Sequence, residues 1–177
     1  MKPTLTPLMA LVLGSLAMGH AHGAGLNLDV EIPPIDTAEY HRPYVAIWLE
    51  NKDRSVVRDL SVWYQQSKGS EEGKKWLKDL RRWWRISGRN QDEPADGVSG
   101  ATKAVGKHSL QIASNDTRLK DLPAGQYSLA IEAAREKGGH ELVRLTLPWP
   151  ASAAQTSGPI TVTGERELGE VSLRITP

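Results

Sequence analysis

The sequence contains no cysteine, which excludes disulfides, thiolate catalysis, iron–sulfur ligation and c-type haem attachment. Net charge is nearly absent as well. Its 22 Lys and Arg stand against 21 Asp and Glu, so nothing global points to nucleic acid. Beyond the first residues, no apolar run is long enough to cross a bilayer, and the chain is not expected to span a membrane. Catalytic signatures are missing too. Ser99 lies in Gly97-Val98-Ser99-Gly100, which is not the setting of a nucleophile elbow, and no His or Asp partner can be named for it. Asp92, Glu93 and Asp96 imitate a carboxylate pair, but nothing fixes their geometry, and solvated loop acids account for them better.

What is present begins with a leader. Residues 1–24 read as a secretory signal: Lys2 supplies the positive start, and the apolar stretch over 7–18 is too short to span a bilayer. The small residues Ala17, Gly19, Ala21, Gly23 and Ala24 place cleavage between 19 and 24. The expected mature chain, 25–177, is a single periplasmic domain of roughly 155 residues, large enough for its own core. Without disulfides, ordinary burial must stabilise it.

Most of that chain has strand character. Leu26, Leu28, Val30 and Ile32 alternate with polar residues until Pro33 and Pro34 end the run. Residues 44–49 and 56–64 are two more apolar runs, joined by a polar turn that predicts a hairpin. Tyr127, Leu129, Ile131 and Ala133 alternate, Lys137-Gly138-Gly139 turns the chain, and Val143, Leu145 and Leu147 return it. Ile160 and Val162, then Val171, Leu173 and Ile175, finish the domain. About seven short strands predict a mainly β fold, an antiparallel sandwich of immunoglobulin-like type.

One segment departs from this pattern. Trp76, Leu77, Leu80, Trp83 and Trp84 fall at helical spacing and predict one inserted α-helix over 71–86. Ser70 can cap its start, Glu71 and Glu72 suit the positive end of its dipole, and Gly88 can stop it. Three tryptophans on one stripe imply a large buried face. The opposite side carries Lys74, Lys78, Arg81 and Arg85, with Lys75 and Arg82 beside them and Asp79 as the one acid, a local charge of about +5. Two readings stay open for it: a solvated face, or a surface for an anionic group or acidic partner. Residues 87–108 then show no periodicity and are expected to form a long loop. At that length a loop is more often functional or disordered than incidental.

The loop contains Asp96-Gly97-Val98-Ser99-Gly100-Ala101-Thr102. A threonine hydroxyl is a poor nucleophile at neutral pH, so any modification of Thr102 needs another enzyme to activate it. Ser99, Gly100 and Ala101 let a second backbone approach closely, and Gly97 and Gly100 permit turns that other residues resist. A β-branched residue at an exposed loop tip adds little packing.

These seven residues resemble the target motif of the FAD:protein FMN transferase, Asp-Gly-x-Ser/Thr-Gly-Ala-Thr. The same motif serves the flavin-bearing subunits of sodium-pumping NADH:quinone reductase and of the Rnf electron-transport complex. The resemblance implies that Thr102 is joined to FMN through its phosphate, with FAD as donor and a divalent cation in the transferase. It makes Asp96, Gly97, Ser99, Gly100 and Ala101 recognition positions. A wider likeness accompanies it. Residues 40–48, 75–84, 96–102 and 133–139, in that order, resemble the exported bacterial family numbered 2271 among domains of unknown function, over nearly the whole mature chain. Its members are often associated with PepSY-type membrane reductases and with the transferase. The implied protein is a periplasmic flavoprotein that relays electrons to or from such a reductase, more a carrier than a stand-alone enzyme. Trp83, Trp84 and His108 are then candidates to touch the flavin, although the spacing of the tryptophans favours core packing and His108 is equally well a surface residue without a role.

Two other classes of function remain open. Cleavage after Gly19 or Ala21 would leave an N-terminal His20 or His22, whose amine and imidazole chelate Cu(II) well. His41, His108 and His140 have no metal-ligand spacing. The third class is a non-catalytic, immunoglobulin-like interaction module, in which the basic helix face binds a partner and the Thr102 loop is passive.

Overall fold

The computed structural model describes residues 24–66, 71–151 and 158–176; the leader, His20, His22 and the Ser70 cap lie outside the described residues. Alternating burial builds the first sheet. Strand β1 (Gly25–Ile32) turns Leu26, Leu28, Val30 and Ile32 inward. It pairs antiparallel with β5 (Gly106–Ile112) on one side and β9 (Glu170–Thr176) on the other. Strand β8 (Ile160–Thr163) completes the order β5-β1-β9-β8.

The second sheet contains β2 (Tyr44–Asn51), β3 (Val57–Tyr64), β4 (Ser99–Ala101), β6 (Gly125–Ala134) and β7 (His140–Trp149). Their order is β4-β3-β2-β6-β7. The sheets face each other across one core, where Leu28, Ile47, Leu129, Ile131, Leu147 and Leu173 are enclosed. The fold is therefore the mainly β sandwich that the alternation predicts. Among the described residues nine strands form it, rather than about seven. The two additions, β4 and β5, both fall wholly or partly within the span expected to be loop, and β4 pairs parallel to β3.

A third layer explains the unbroken apolar run in β2, which is buried along nearly its whole length. On the outer face of the second sheet, Ala46, Trp48, Val62, Tyr64 and Ala130 receive Leu77, Leu80 and Trp83 from the helical insertion. A strand covered on both sides loses its polar alternation.

The insertion is not one helix over 71–86. It comprises α1 (Glu72–Lys75), a 3-10 turn (Leu77–Asp79), α2 (Arg81–Ile86) and a second 3-10 turn (Gly88–Asn90). Leu80 leaves helical geometry at ψ 70. The cause lies in the sheet. Glu132, fully buried on β6, accepts the backbone N–H of Arg82 at 2.9 Å and of Trp83 at 2.7 Å. A continuous helix would commit those groups to preceding carbonyls; the break frees them for the carboxylate.

The break also separates the tryptophans, so they do not share a buried stripe. Trp83 is fully buried and donates its indole N–H to Asp59 at 2.8 Å. Trp84 is half-buried, and Trp76 is 43% exposed. The helix ends at Ile86, before Gly88. That glycine is there for close packing, since a Cβ on it would lie 2.5 Å from the Trp83 ring. Of the basic side chains, Lys75, Lys78, Arg81 and Arg85 are exposed. Lys74 pairs with Glu71 at 3.0 Å, while Arg82 is half-buried 3.5 Å from Glu50.

Candidate functional site

The segment 96–102 is not a free loop tip. Ser99, Gly100 and Ala101 form β4, in parallel register with Val62, Trp63 and Tyr64. Val62 N–H donates to the Val98 carbonyl at 2.9 Å, and Thr102 N–H donates to the Tyr64 carbonyl at 3.2 Å. Thr102 is consequently half-buried at the end of an edge strand, rather than exposed on a loop. Ser, Gly and Ala have little strand preference. They pair here because small side chains fit beside Trp63: even a Cβ on Gly100 would lie 3.5 Å from that indole, an ordinary contact.

The turn before β4 is held from two sides. Gly97 has φ +72, a conformation that disfavours any side chain. Its carbonyl accepts Arg118 Nη1 at 3.0 Å, and the same nitrogen donates to the Leu60 carbonyl on β3 at 2.7 Å. Arg118 is aimed by Asp116 through contacts of 2.8 and 2.6 Å. Those hydrogen bonds hold the Asp116 carboxyl down at about 2. On the other side, the Ser99 hydroxyl accepts Ala95 N–H at 2.9 Å and contacts the Glu93 carboxylate. Asp96 is exposed.

Thr102 opens into a cleft of about 110 Å³ assembled from four parts of the chain. His41, Arg42 and Tyr44 come from the approach to β2, and Gln65 follows β3. Trp76 and Asp79 come from the helical insertion, and Ala134 and Glu136 from the turn between β6 and β7. Burial pushes the Tyr44 hydroxyl above the usual phenol range, against an opposing hydrogen bond from the Gln65 backbone. Its ring meets Tyr64 edge-on at 6.3 Å. His41 lies between two carboxylates, Glu39 at 2.9 Å and Glu136 at 3.5 Å.

The cleft thus sets two aromatic side chains, a guanidinium and two carboxylates around one hydroxyl. Among the described residues, no side chain is hydrogen-bonded to the Thr102 hydroxyl as a base. Among the described residues, nothing activates the threonine as a nucleophile.

The other sequence candidates lie elsewhere. Trp83 belongs to the outer core, and Trp84 lines a separate depression with Lys74, Gln91 and Glu93. His108 sits on β5 opposite Val30, with Nε2 2.7 Å from the Ala104 carbonyl and its ring edge-on to Trp63 at 6.0 Å. It does not line the cleft. The residues that sequence reasoning did not single out are Trp76 as a cleft wall, Arg42 and Arg118. Segment 40–48 carried part of the family likeness and contains three cleft residues, which was a usable signal; nothing in the sequence marks Arg118. Among the described residues, no three His, Asp or Glu side chains converge to hold a metal, and no helix is long and apolar enough to cross a membrane.

Fold and site together define a β-sandwich domain with a helical third layer, presenting a small-residue edge strand beside an aromatic cleft. The chain belongs to the family described as predicted periplasmic protein, domain of unknown function 2271, whose model matches residues 25–170. That description agrees with the expected family and with export to the periplasm. No curated protein and no solved structure matches the chain.

Proposed function

We propose that this protein carries FMN covalently on Thr102 and relays electrons in the periplasm, to or from a PepSY-type membrane reductase. The observation that carries the proposal is the position of Thr102, which ends the motif's edge strand at the mouth of a cleft lined by Trp76 and Tyr44. Attachment by an FAD:protein FMN transferase is balanced as follows. Thr102 Oγ1 bonds to the FMN phosphorus of FAD, the pyrophosphate bond breaks, and AMP departs. The hydroxyl proton passes to a base of the transferase, because the described part of this chain supplies none there.

When bound, the flavin supplies one-electron and hydride chemistry. The chain's own contribution is to hold the acceptor in shape. Arg118 and Ser99 fix the turn at Gly97, and β3 fixes the strand that ends at Thr102. The exposed Lys75, Lys78, Arg81 and Arg85 support docking to an acidic redox partner. Intact mass of the exported chain, made with and without the transferase, tests the proposal. The expected gain is one FMN less one water, absent from Thr102→Ala. No gain with an active transferase overturns it.

A further inference from the structure

The proposed attachment leaves open where the flavin ring rests once the phosphate is tethered. We infer that the isoalloxazine ring lies across the mouth of the cleft at Thr102, one edge entering its volume of about 110 Å³, with the Trp76 indole as the stacking face; this rests on flavinylation of Thr102. The first ground is exposure. Among the described residues, the exposed large hydrophobic side chains are Trp76 and Val105, at 43% and 46%. Of the two, Trp76 lines the threonine's own cleft and Val105 does not. One exposed apolar side chain is ordinary on a protein surface; an indole left uncovered inside a polar cleft beside Thr102 is a ready stacking face.

The second ground is how Trp76 comes to be exposed. Its helical neighbours Leu77, Leu80 and Trp83 are fully buried against the sheet. Trp76 occupies the junction between α1 and the 3-10 turn, where the chain directs it to the cleft instead of the core. An indole presents a large, rigid face that stacks offset on another aromatic plane. The third ground is the polar rim. Arg42 supplies donors and Asp79 and Glu136 supply acceptors in the cleft, which suits a ring edge bearing carbonyl oxygens and an imide N–H. Tyr44 adds a hydroxyl and a second ring.

The test uses the exported chain loaded by the transferase, as wild type, Trp76→Ala, Trp76→Phe and Trp84→Ala. Intact mass gives the FMN per chain, and flavin emission is then expressed per attached flavin. A stacked indole quenches flavin emission, so the wild type is expected to be dim and Trp76→Ala several-fold brighter. Trp84→Ala, in a different depression, is expected to stay dim. Trp76→Phe keeps a stacking face without an efficient quencher; it should be bright yet retain the visible circular dichroism of a held ring, which Trp76→Ala loses. Equal emission together with equal visible circular dichroism from loaded wild type and Trp76→Ala overturns the seat while leaving attachment intact. A wild-type chain that gains no mass overturns the attachment, and the seat with it.

Discussion

The carboxylate of Glu132 accepts the backbone N–H of Trp83 at 2.7 Å, reaching from within a sheet strand to the start of a helix. It accepts the N–H of Arg82 as well, and its remaining capacity is taken by His140 Nε2 at 2.5 Å. A fully buried charge is tolerable only when it is solvated by the protein in this way. Here the helix dipole adds to the hydrogen bonds. Glu132 therefore acts as a cap supplied from another layer of the fold. It fixes the break at Leu80 and, with it, the separation of buried Trp83 from exposed Trp76.

Replacing Glu132 with Ala is expected to lower the unfolding free energy by about 2–4 kcal/mol, because it leaves two helix-start N–H groups without their partner. Glu132→Gln keeps an acceptor and is expected to lose less. Urea unfolding followed by tryptophan emission measures both. An Ala variant with the wild-type midpoint would show that the contact contributes nothing.

The two motif glycines are expected to behave differently. Gly97→Ala places a side chain at φ +72 and should cost about 1 kcal/mol of stability. Gly100 has ordinary room, with Trp63 at 3.5 Å from the added Cβ, so Gly100→Ala should leave the melting temperature nearly unchanged. If the proposed transferase reads this position, Gly100→Ala will nonetheless load less FMN per chain. Full loading at the wild-type rate would remove Gly100 from the recognition set.

The ion pair between Asp116 and Arg118 gives a pH signature. Hydrogen bonds with Arg118 hold the folded Asp116 carboxyl at about 2, below its ordinary value of 3.8. Its contribution is therefore complete above the higher value and is lost as pH falls towards the lower one. After allowance for partial solvent screening this amounts to about 1–2 kcal/mol. Asp116→Asn should be less stable than wild type at neutral pH, with the gap closing between about pH 4 and pH 2. A gap that stays constant over that range would assign the effect to packing.

Gly88 is predicted to be intolerant for a steric reason. A Cβ there would lie within 2.5–2.8 Å of three atoms of the buried Trp83 ring. Gly88→Ala should cost about 1–3 kcal/mol through overpacking. Thermal unfolding of Gly88→Ala and of the double variant Gly88→Ala/Trp83→Leu checks the cause, since the smaller residue should reduce the added cost.

The strands that alternate cleanly were legible in the sequence. Leu26 to Ile32 shows period two because one face meets the core, and Tyr127 to Ala133 does so because large apolar residues face the core while Ser128, Ala130 and Glu132 face the helical layer. β4 was not legible, because Ser99, Gly100 and Ala101 have no intrinsic strand preference and owe their conformation to β3. β5 was missed where Lys107, His108 and Ser109 lack a run of apolar partners, its inward residues being only partly buried until Ile112. Helical spacing correctly found Leu77, Leu80 and Trp83, yet it could not register the break. That break depends on Glu132, about fifty residues away, whose charge stands out in an apolar strand but does not announce a partner. In the candidate site, position 102 was visible and its surroundings were not, since the cleft draws on segments distant in sequence.

The parallel pairing of β4 has a consequence for the sheet as a whole. Without it, β3 would offer an unpaired hydrogen-bonding rim at residues 62–64, a template onto which extended segments of other chains can add. Covering that rim with three small residues leaves a border too short to nucleate intermolecular strand growth. The stretch that leads to Thr102 is thus the guard of its own sheet, and removing it would leave the chain with a tendency to aggregate.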